Sequence, residues 1–277
     1  MIGAVIICIA KYESNYIVEF VRYHLGIGFD KIYLYDNEDK ETYKAMLTEF
    51  GDKVVVTHLP GKNYTRLPQY EAIQQFTWNY INNPDITHVA HIDIDEYIVL
   101  KKHSNIKEFI KEYIYDGENN IMCGAIGINW RFFGDSDNKT DINEPLTIRF
   151  TKRQEHGHEA VKTIYNKMFY CGNNNPHNII INNSYYPEKA TNGIIINGPG
   201  NQNMDFSVIQ LNHYKSKTWE EYKYIRSRGR ADRYDNPNFD EGEAKLLEEF
   251  NSFNLNETED LFACNFYKKI LEAQNKE

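Results

Sequence analysis

Three carboxylates stand together in His88-Val89-Ala90-His91-Ile92-Asp93-Ile94-Asp95-Glu96-Tyr97, directly after a short apolar run. Residues two apart in an extended chain share a face, so Asp93 and Asp95 can present both acids to one hard cation. The carboxyl edge of an open α/β sheet is where its ligands bind. An Asp-rich turn that merely caps a strand is the plainer alternative. However, the apolar stretch Tyr97-Ile98-Val99-Leu100 follows at once. The chain is therefore expected to stay in or near the sheet, where acids are expensive to desolvate unless a positive group meets them.

A second polar cluster closes a later apolar run, in Asn212-His213-Tyr214-Lys215-Ser216-Lys217. Mg²⁺ and Mn²⁺ take few protein ligands and let phosphate oxygens complete the shell. Asp95 and His213 are the expected direct ligands of such an ion, and Asp93 reaches it through water or meets a ribose hydroxyl. Lys215, Lys217, Arg226, Arg228 and Arg230 could close over a diphosphate, although a solvated helix face explains Arg226 and Arg230 equally well. These parts suit displacement at a sugar carbon. The cation would neutralise a departing nucleoside diphosphate, and a carboxylate would deprotonate the acceptor hydroxyl. Trp130, Phe132 and Phe133 could stack on an acceptor sugar, with core packing claiming at least one of them. Trp130 is the acceptor-binding candidate. His24 lies on an apolar helix face and reads as a core histidine. His156 and His158, with Glu155 and Glu159, lack rigid ligand spacing and read as a polar acceptor loop.

Elements must hold these groups at one rim. The first hundred residues alternate strand and helix patterns at the spacing of βα units with a parallel sheet. Strands are expected over 2–9, 31–35, 53–59 and 86–92, and helices from near Glu13-Ser14 to Gly26, over 40–50 and over 69–82. Right-handed crossovers then place Lys11 and Glu13, Asp36 and Asn37, and Asp93 and Asp95 along one edge. Beyond residue 100 the pattern loosens. A helix around 104–114 and strands over 121–130 and 206–211 bracket an Asn-, Gly- and His-rich stretch with short strand-like pieces. Helices over 219–230, 241–250 and 260–273 end the chain. The expected fold is α/β, with a mostly parallel Rossmann-like sheet flanked by helices. Residues 1–235 form its main domain, with a nucleotide-binding half at 1–100 and an acceptor half at 101–235. Residues 236–277 form a helical extension on the same core.

At 277 residues, 41% of them hydrophobic, the chain can bury a full core. A net charge of -9 supplies no Lys/Arg surplus for a nucleic-acid binder. Cys8, Cys123, Cys171 and Cys264 are scattered and expected to be free thiols, mostly buried. Met1 to Ala10 lacks the basic lead of a signal peptide and is too short to span a bilayer, so it reads as a buried first strand. With no other membrane-length apolar run, a cytoplasmic or membrane-peripheral protein is expected.

Four ordered blocks resemble glycosyltransferase family 92 and its family-2-like relatives. Lys11-Tyr12-Glu13, then Glu19 to Gly28 and the run ending Tyr35-Asp36-Asn37, is similar to that family's K-N-E, E-W-x-x-Y-H-x-x-L-G and Y-D-N. Asp93-Ile94-Asp95-Glu96-Tyr97 looks like its D-x-D-E-F metal motif, and Trp130-Arg131-Phe132-Phe133-Gly134 like its W-x-x-F-G. Asn212 to Lys217, with Glu220-Glu221-Tyr222, looks like N-H-Y-x-x-K-S-x-E-E-F. The resemblance implies a GT-A fold and a nucleoside-diphosphate sugar as donor, a UDP-sugar before a GDP-sugar. It implies that Lys11, Glu13, Asp36 and Asn37 line the nucleoside pocket, that Arg66 or Gln69 reaches it, and that His213 completes the metal site. Tyr12 replaces the family's Asn, and Gly134-Asp135 replaces its Gly-Ser. Among Asp135, Asp137, Glu155 and Glu159, Asp135 is the chosen catalytic base, acting with inversion on a glycan or other acceptor. A nucleotidyltransferase is the nearest rival, but Lys11-Tyr12-Glu13-Ser14-Asn15 lacks a phosphate-loop glycine. A sugar-binding protein without catalysis is the other.

Overall fold

The apolar run Ala4–Ala10 forms strand β1, and its alternation feeds two core layers at once. Ile6 and Cys8 pack with Phe20, Val21, Phe109 and Ile110 on one face, while Val5 and Ile7 pack with Ala72, Phe76 and Val89 on the other. Strands covered on both faces are apolar throughout. A computed structural model supplies the coordinates and describes residues 1–61, 67–116, 120–138, 144–175, 177–181, 185–229, 231 and 242–275.

After β1 come α1 (Ile17–Gly26), β2 (Lys31–Asp36), α2 (Tyr43–Met46), β3 (Val54–His58), α3 (Pro68–Tyr80) and β4 (His88–His91). β1 pairs in parallel with β2 and β4, and β2 with β3. The helix expected over 40–50 is shorter than its sequence suggests. Only α2 forms, followed by a 3₁₀ segment, Thr48–Lys53, in which Gly51 sits at φ 54° and breaks the helical path. Pro68 opens α3 at a position where its missing N–H is harmless.

The chain then turns through Asp93 to Asp95 into β5 (Glu96–Leu100), which leaves β4 and crosses to the far edge of the sheet. There follow α4 (Ile106–Tyr113), β6 (Ala125–Phe132), α5 (Leu146–Arg149), β7 (Lys152–Arg153), β8 (His158–Asn166), β9 (Tyr170–Asn175), β10 (Asn178–Ile181), β11 (Glu188–Lys189) and β12 (Ile209–His213). Helices α6 (Trp219–Ser227) and α7 (Glu243–Phe253), strand β13 (Thr258–Glu259) and helix α8 (Phe262–Gln274) complete the described chain.

The main sheet runs β3-β2-β1-β4-β8-β6-β12-β5, with β11 beside β6. Its first half is parallel. Its second half is mixed, because β8 runs antiparallel to both β4 and β6, and β5 runs antiparallel to β12. The fold is α/β as expected, but β5 ties the first hundred residues into the second half. His24 pins that crossing. Its Nδ1 donates to the Phe20 carbonyl at 2.8 Å, and its Nε2 accepts the Ile98 N–H at 3.3 Å. Burial pushes its pKa down to about 3, so the neutral ring fills both roles.

At the C-terminal end, Ala263 and Tyr267 of α8 join the α1 side of the core. A Cβ on Gly26 would meet Ile270 Cδ1 at 2.6 Å, so this glycine permits the close approach of α8 to the end of α1. Cys8, Cys123 and Cys264 are buried, Cys171 is exposed, and all four are free. Among the described residues, no helix is long and apolar enough to cross a membrane.

Candidate active site

The ends of β1, β4, β6 and β12 surround a cleft of about 200 Å³. Lys11, Glu13 and Asn37 line one side of it, Asp93 and Asp95 the floor, and Trp130, His177 and His213 another wall, with Gln69, Lys215, Arg226 and Arg228 around them.

The acid turn is self-capped, since the Asp93 N–H donates to Glu96 Oε2 at 2.8 Å and the Glu96 N–H to the Asp93 carbonyl at 3.1 Å. Each carboxylate has a different partner. Asp93 Oδ2 accepts from Lys162 Nζ at 2.9 Å, and its Oδ1 accepts from Gln69 Nε2 at 3.1 Å. Lys162 lies only 1% exposed on β8, with Glu96 Oε2 also 3.6 Å away. Burial works to raise the Asp93 pKa, but Lys162 outweighs it and holds the carboxyl below its ordinary value. Lys162 also works to lower the Glu96 pKa, but there burial prevails and drives it well up. Burial opposes charge on Lys162, yet Asp93 and Glu96 raise its pKa overall.

Asp95 faces the other way. Its Oδ2 stands 3.6 Å from His213 Nε2 and 4.0 Å from Lys217 Nζ, and the first separation is too long for a hydrogen bond. The Asp95 carbonyl accepts the Tyr214 N–H at 2.8 Å, which locks the acid turn to the end of β12. Burial raises the Asp95 pKa, while His213, Lys217 and Arg228 together carry it far below the carboxylate range. Burial lowers that of His213 against the pull of Asp95. Lys217 is held in a left-handed backbone conformation, φ 52°, with its ammonium 4.8 Å from the Tyr16 ring centroid. It is 1% exposed, and its Nζ has no hydrogen-bond partner among the described residues.

On the opposite wall, Arg228 Nη1 donates to Glu13 Oε1 at 2.6 Å and to the Lys11 carbonyl. Glu13 Oε2 is buried and has no partner among the described residues. Burial raises the Glu13 pKa, against Lys217 and Arg228. Lys11 pairs with Asp39 at 3.5 Å, and Asn37 Nδ2 donates to the Leu59 and Gly61 carbonyls. Tyr12 adopts φ 61°, with its N–H on Glu38 and its ring stacked on Tyr224 at 5.0 Å. Trp130 presents an edge-to-face ring to His213 at 4.4 Å and to His177 at 4.9 Å.

Residues 3–261 match the sequence profile of Glycosyltransferase family 92. The chain belongs to that family. No curated protein matches. Among solved structures, S. aureus TarS in complex with UDP is similar at 13% identity and a TM-score of 0.37, over 61% of this chain and 48% of that one. A second S. aureus TarS structure is similar at 11% identity and 0.39, over 91% and 72%. Core-mannan synthase A from Aspergillus fumigatus, in its Mn/GDP form, is similar at 9% and 0.28, over 50% and 45%. This chain thus spans about half the length of the TarS chain solved with UDP.

For this family-92 chain, the structure gathers Lys11, Glu13, Asn37, Gln69, Asp93, Asp95, Trp130 and His213 at the cleft, with Lys217 beside Asp95. It does not bring in two other candidates. Asp36 lies wholly buried behind the wall, and its carboxylate accepts the N–H groups of Glu38, Thr42 and Tyr43, capping the turn into α2. Asp135 lies away from the cleft lining, where Asn254 Nδ2 and Asn256 Nδ2 donate to its carboxylate at 3.0 and 2.9 Å. In both cases backbone or amide donors close to the acid in space already hydrogen-bond its carboxylate. Arg66 and Arg230 lie outside the described residues. Phe132 and Phe133 are buried, as expected for core packing. Arg226 lines the cleft and pairs with Glu249 at 2.9 Å, and Lys215 sits over the Phe253 ring.

Two residues, Lys162 beside Asp93 and His177 in the cleft wall, escaped the sequence reading. Lys162 was findable, as a lone charge inside the apolar run Ala160-Val161-Lys162-Thr163-Ile164. His177 carried no comparable signal. It comes from the β9–β10 turn, with Nδ1 donating to the Val161 carbonyl at 3.1 Å, and burial lowers its pKa to about 4.

Whether these residues suit a divalent cation turns on Asp95 and His213. Among the described residues, no three His, Cys, Asp or Glu side chains form a ligand cluster. Asp95 and His213 nevertheless face each other without a mutual hydrogen bond, beside the Lys217 ammonium, which has no hydrogen-bond partner among the described residues. A two-ligand site completed by phosphate oxygens fits that donor set.

Proposed function

We propose that this chain transfers a sugar from a nucleoside-diphosphate sugar, a UDP-sugar before a GDP-sugar, to a hydroxyl of a glycan or other acceptor. The buried Lys217 ammonium, 4.0 Å from Asp95 and without a hydrogen-bond partner among the described residues, carries the reading. A desolvated cation is costly unless a counter-charge completes it, and a diphosphate is such a counter-charge.

In this scheme Asp95 and His213 hold a Mn²⁺ or Mg²⁺ ion, which when bound supplies Lewis-acid stabilisation of the leaving diphosphate. Lys217 adds a fixed positive charge in a water-poor site, where such charge acts most strongly. Arg228 keeps Glu13 placed on the nucleoside side with Lys11 and Asn37. Lys162 and Gln69 orient Asp93 toward ribose or a metal-bound water and balance its charge. Trp130 offers an aromatic wall to the acceptor sugar. Asp135, whose carboxylate is held by Asn254 and Asn256, is given no role in this scheme.

The test is calorimetric titration with Mn²⁺ and UDP. Wild type binds UDP only with the metal, and Asp95→Ala abolishes that binding while melting within a few degrees of wild type. Metal-independent binding, or binding kept by the variant, overturns the proposal. A donor screen scored by free UDP or GDP then names the sugar nucleotide.

A further inference from the structure

A second concavity, of about 540 Å³, opens between α3 and the β9–β10 hairpin. It falls within the roughly 300–1,000 Å³ of small-molecule sites. Its walls continue those of the cleft. Pro68 and Gln69 of α3 line the cleft, while Tyr70, Gln74 and Trp78 of the same helix line the groove. His177, at the hairpin turn, lines the cleft, while Tyr170 and Asn173, on its first strand, line the groove. One helix and one hairpin thus wall both spaces.

The chemistry of the groove is specific. Tyr70, Gln74 and Trp78 recur every fourth residue, so they share one face of α3. Trp78 is 69% exposed, whereas Trp130 and Trp219 are half-buried. The Tyr170 hydroxyl donates to Asn173 Oδ1 at 2.6 Å, and the Tyr170 ring stacks on Tyr165 at 5.0 Å, so the facing wall is ordered. Gln74, Thr77 and Asn173 supply amide and hydroxyl groups between the rings. Glu71 is the one charged residue among the described lining, which disfavours an anionic chain. Open aromatic faces bordered by neutral hydrogen-bonding groups suit a sugar ring, which has one apolar face and a polar rim.

We propose that this groove binds a neutral oligosaccharide, the distal part of an acceptor chain whose reacting end occupies the cleft. The assignment of that chain as acceptor rests on the sugar-transfer reading, but binding in the groove is measurable without turnover. The full chain is applied to immobilised neutral glucans, mannans, galactans and xylans, each as monosaccharide and as long linear chain. At least one long chain is retained while its monosaccharide is not. Trp78→Ala weakens that retention by roughly tenfold, and Gln74→Ala weakens it less. Both positions are exposed, and melting curves check the fold. Asp95→Ala retains the chain as wild type does, so loss of donor binding and loss of groove binding are read separately. Retention of no long chain, or retention unchanged in Trp78→Ala, overturns the proposal. So does light scattering that finds a wild-type dimer turned to monomer by Trp78→Ala, since the groove would then seat a second copy.

Discussion

In the parallel half, β1 buries Ala4, Val5, Ile6, Ile7 and Cys8, whereas β12 in the mixed half buries Gln210, Asn212 and His213 beside Ile209 and Leu211. Most polar side chains on β12 are tied down, although Gln210 Oε1 and His213 Nδ1 have no hydrogen-bond partner among the described residues. Gln210 Nε2 donates to Asn212 Oδ1 at 2.7 Å and to Asp260 Oδ2 at 3.0 Å, and Asn212 Nδ2 donates to the Tyr214 hydroxyl at 3.1 Å. Asn129 on β6 likewise donates to three carbonyls, of His158, Glu159 and Asn201. The apolar half therefore delivers loops and acids to the rim, while the polar half supplies the groups that meet them: the cations Lys162 from β8 and Lys217 just after β12, and the His213 imidazole from β12 itself. One half is scaffold and the other is counter-charge.

That division can be broken experimentally. Lys217→Met should lower transfer by roughly 100- to 1,000-fold, the usual loss when one charge-stabilising donor leaves a dry site. Steady-state kinetics with a melting check measures it, and a loss below tenfold would place the scaffold's own residues in charge of the diphosphate. Lys162→Met strands Asp93 and Glu96 and should destabilise the fold by about 3–5 kcal/mol in urea unfolding, with Lys162→Arg restoring part of it. An unchanged midpoint would show that Asp93 needs no resident cation.

Glu188 sharpens the contrast from the other side, as a buried acid of the polar half with no ion pair among the described residues. Burial raises its carboxyl to about 7, from an ordinary 4.5, although Thr163 donates to it at 2.8 Å. The folded state holds this proton more tightly than the unfolded one. Its contribution is therefore complete below pH 4.5 and is lost as pH rises through about 7. Glu188→Gln keeps an acceptor for Thr163. It should match wild type at low pH and exceed it above neutrality by at most about 3 kcal/mol, as read from unfolding at several pH values. Asp135→Asn is the mildest change. Its loss weakens hydrogen bonds from Asn254 and Asn256 by about 1 kcal/mol, with transfer rates within twofold of wild type. A large drop in rate would return Asp135 to the site.

Legibility followed the same division. The strands before residue 100 were readable because an apolar run between turn signals has few other ways to be buried, and Lys11, Glu13, Asn37, Asp93 and Asp95 stood at their ends. β12 is expected over 206–211 but spans Ile209–His213, because Asn212, which looks like a loop residue, stays buried in the sheet. His213 still came through, since it closes an apolar run, and Lys162 could have been found by that logic.

Asp36 and Asp135 were drawn into the site by their place after a strand, a local property. Only tertiary structure showed that nearby amides already satisfy them, those of 38–43 for Asp36 and of Asn254 and Asn256 for Asp135. The amino-acid order by itself determined which strands are buried, where the rim acids fall and which family the chain resembles, because burial periodicity and turn chemistry are written along the chain. It left open which charge meets which. Lys162 lies 69 residues from Asp93, and β5 crosses the sheet before His213 can stand opposite Asp95. Ionic partners are chosen by distance in space, and that distance exists only once the strands have taken their order.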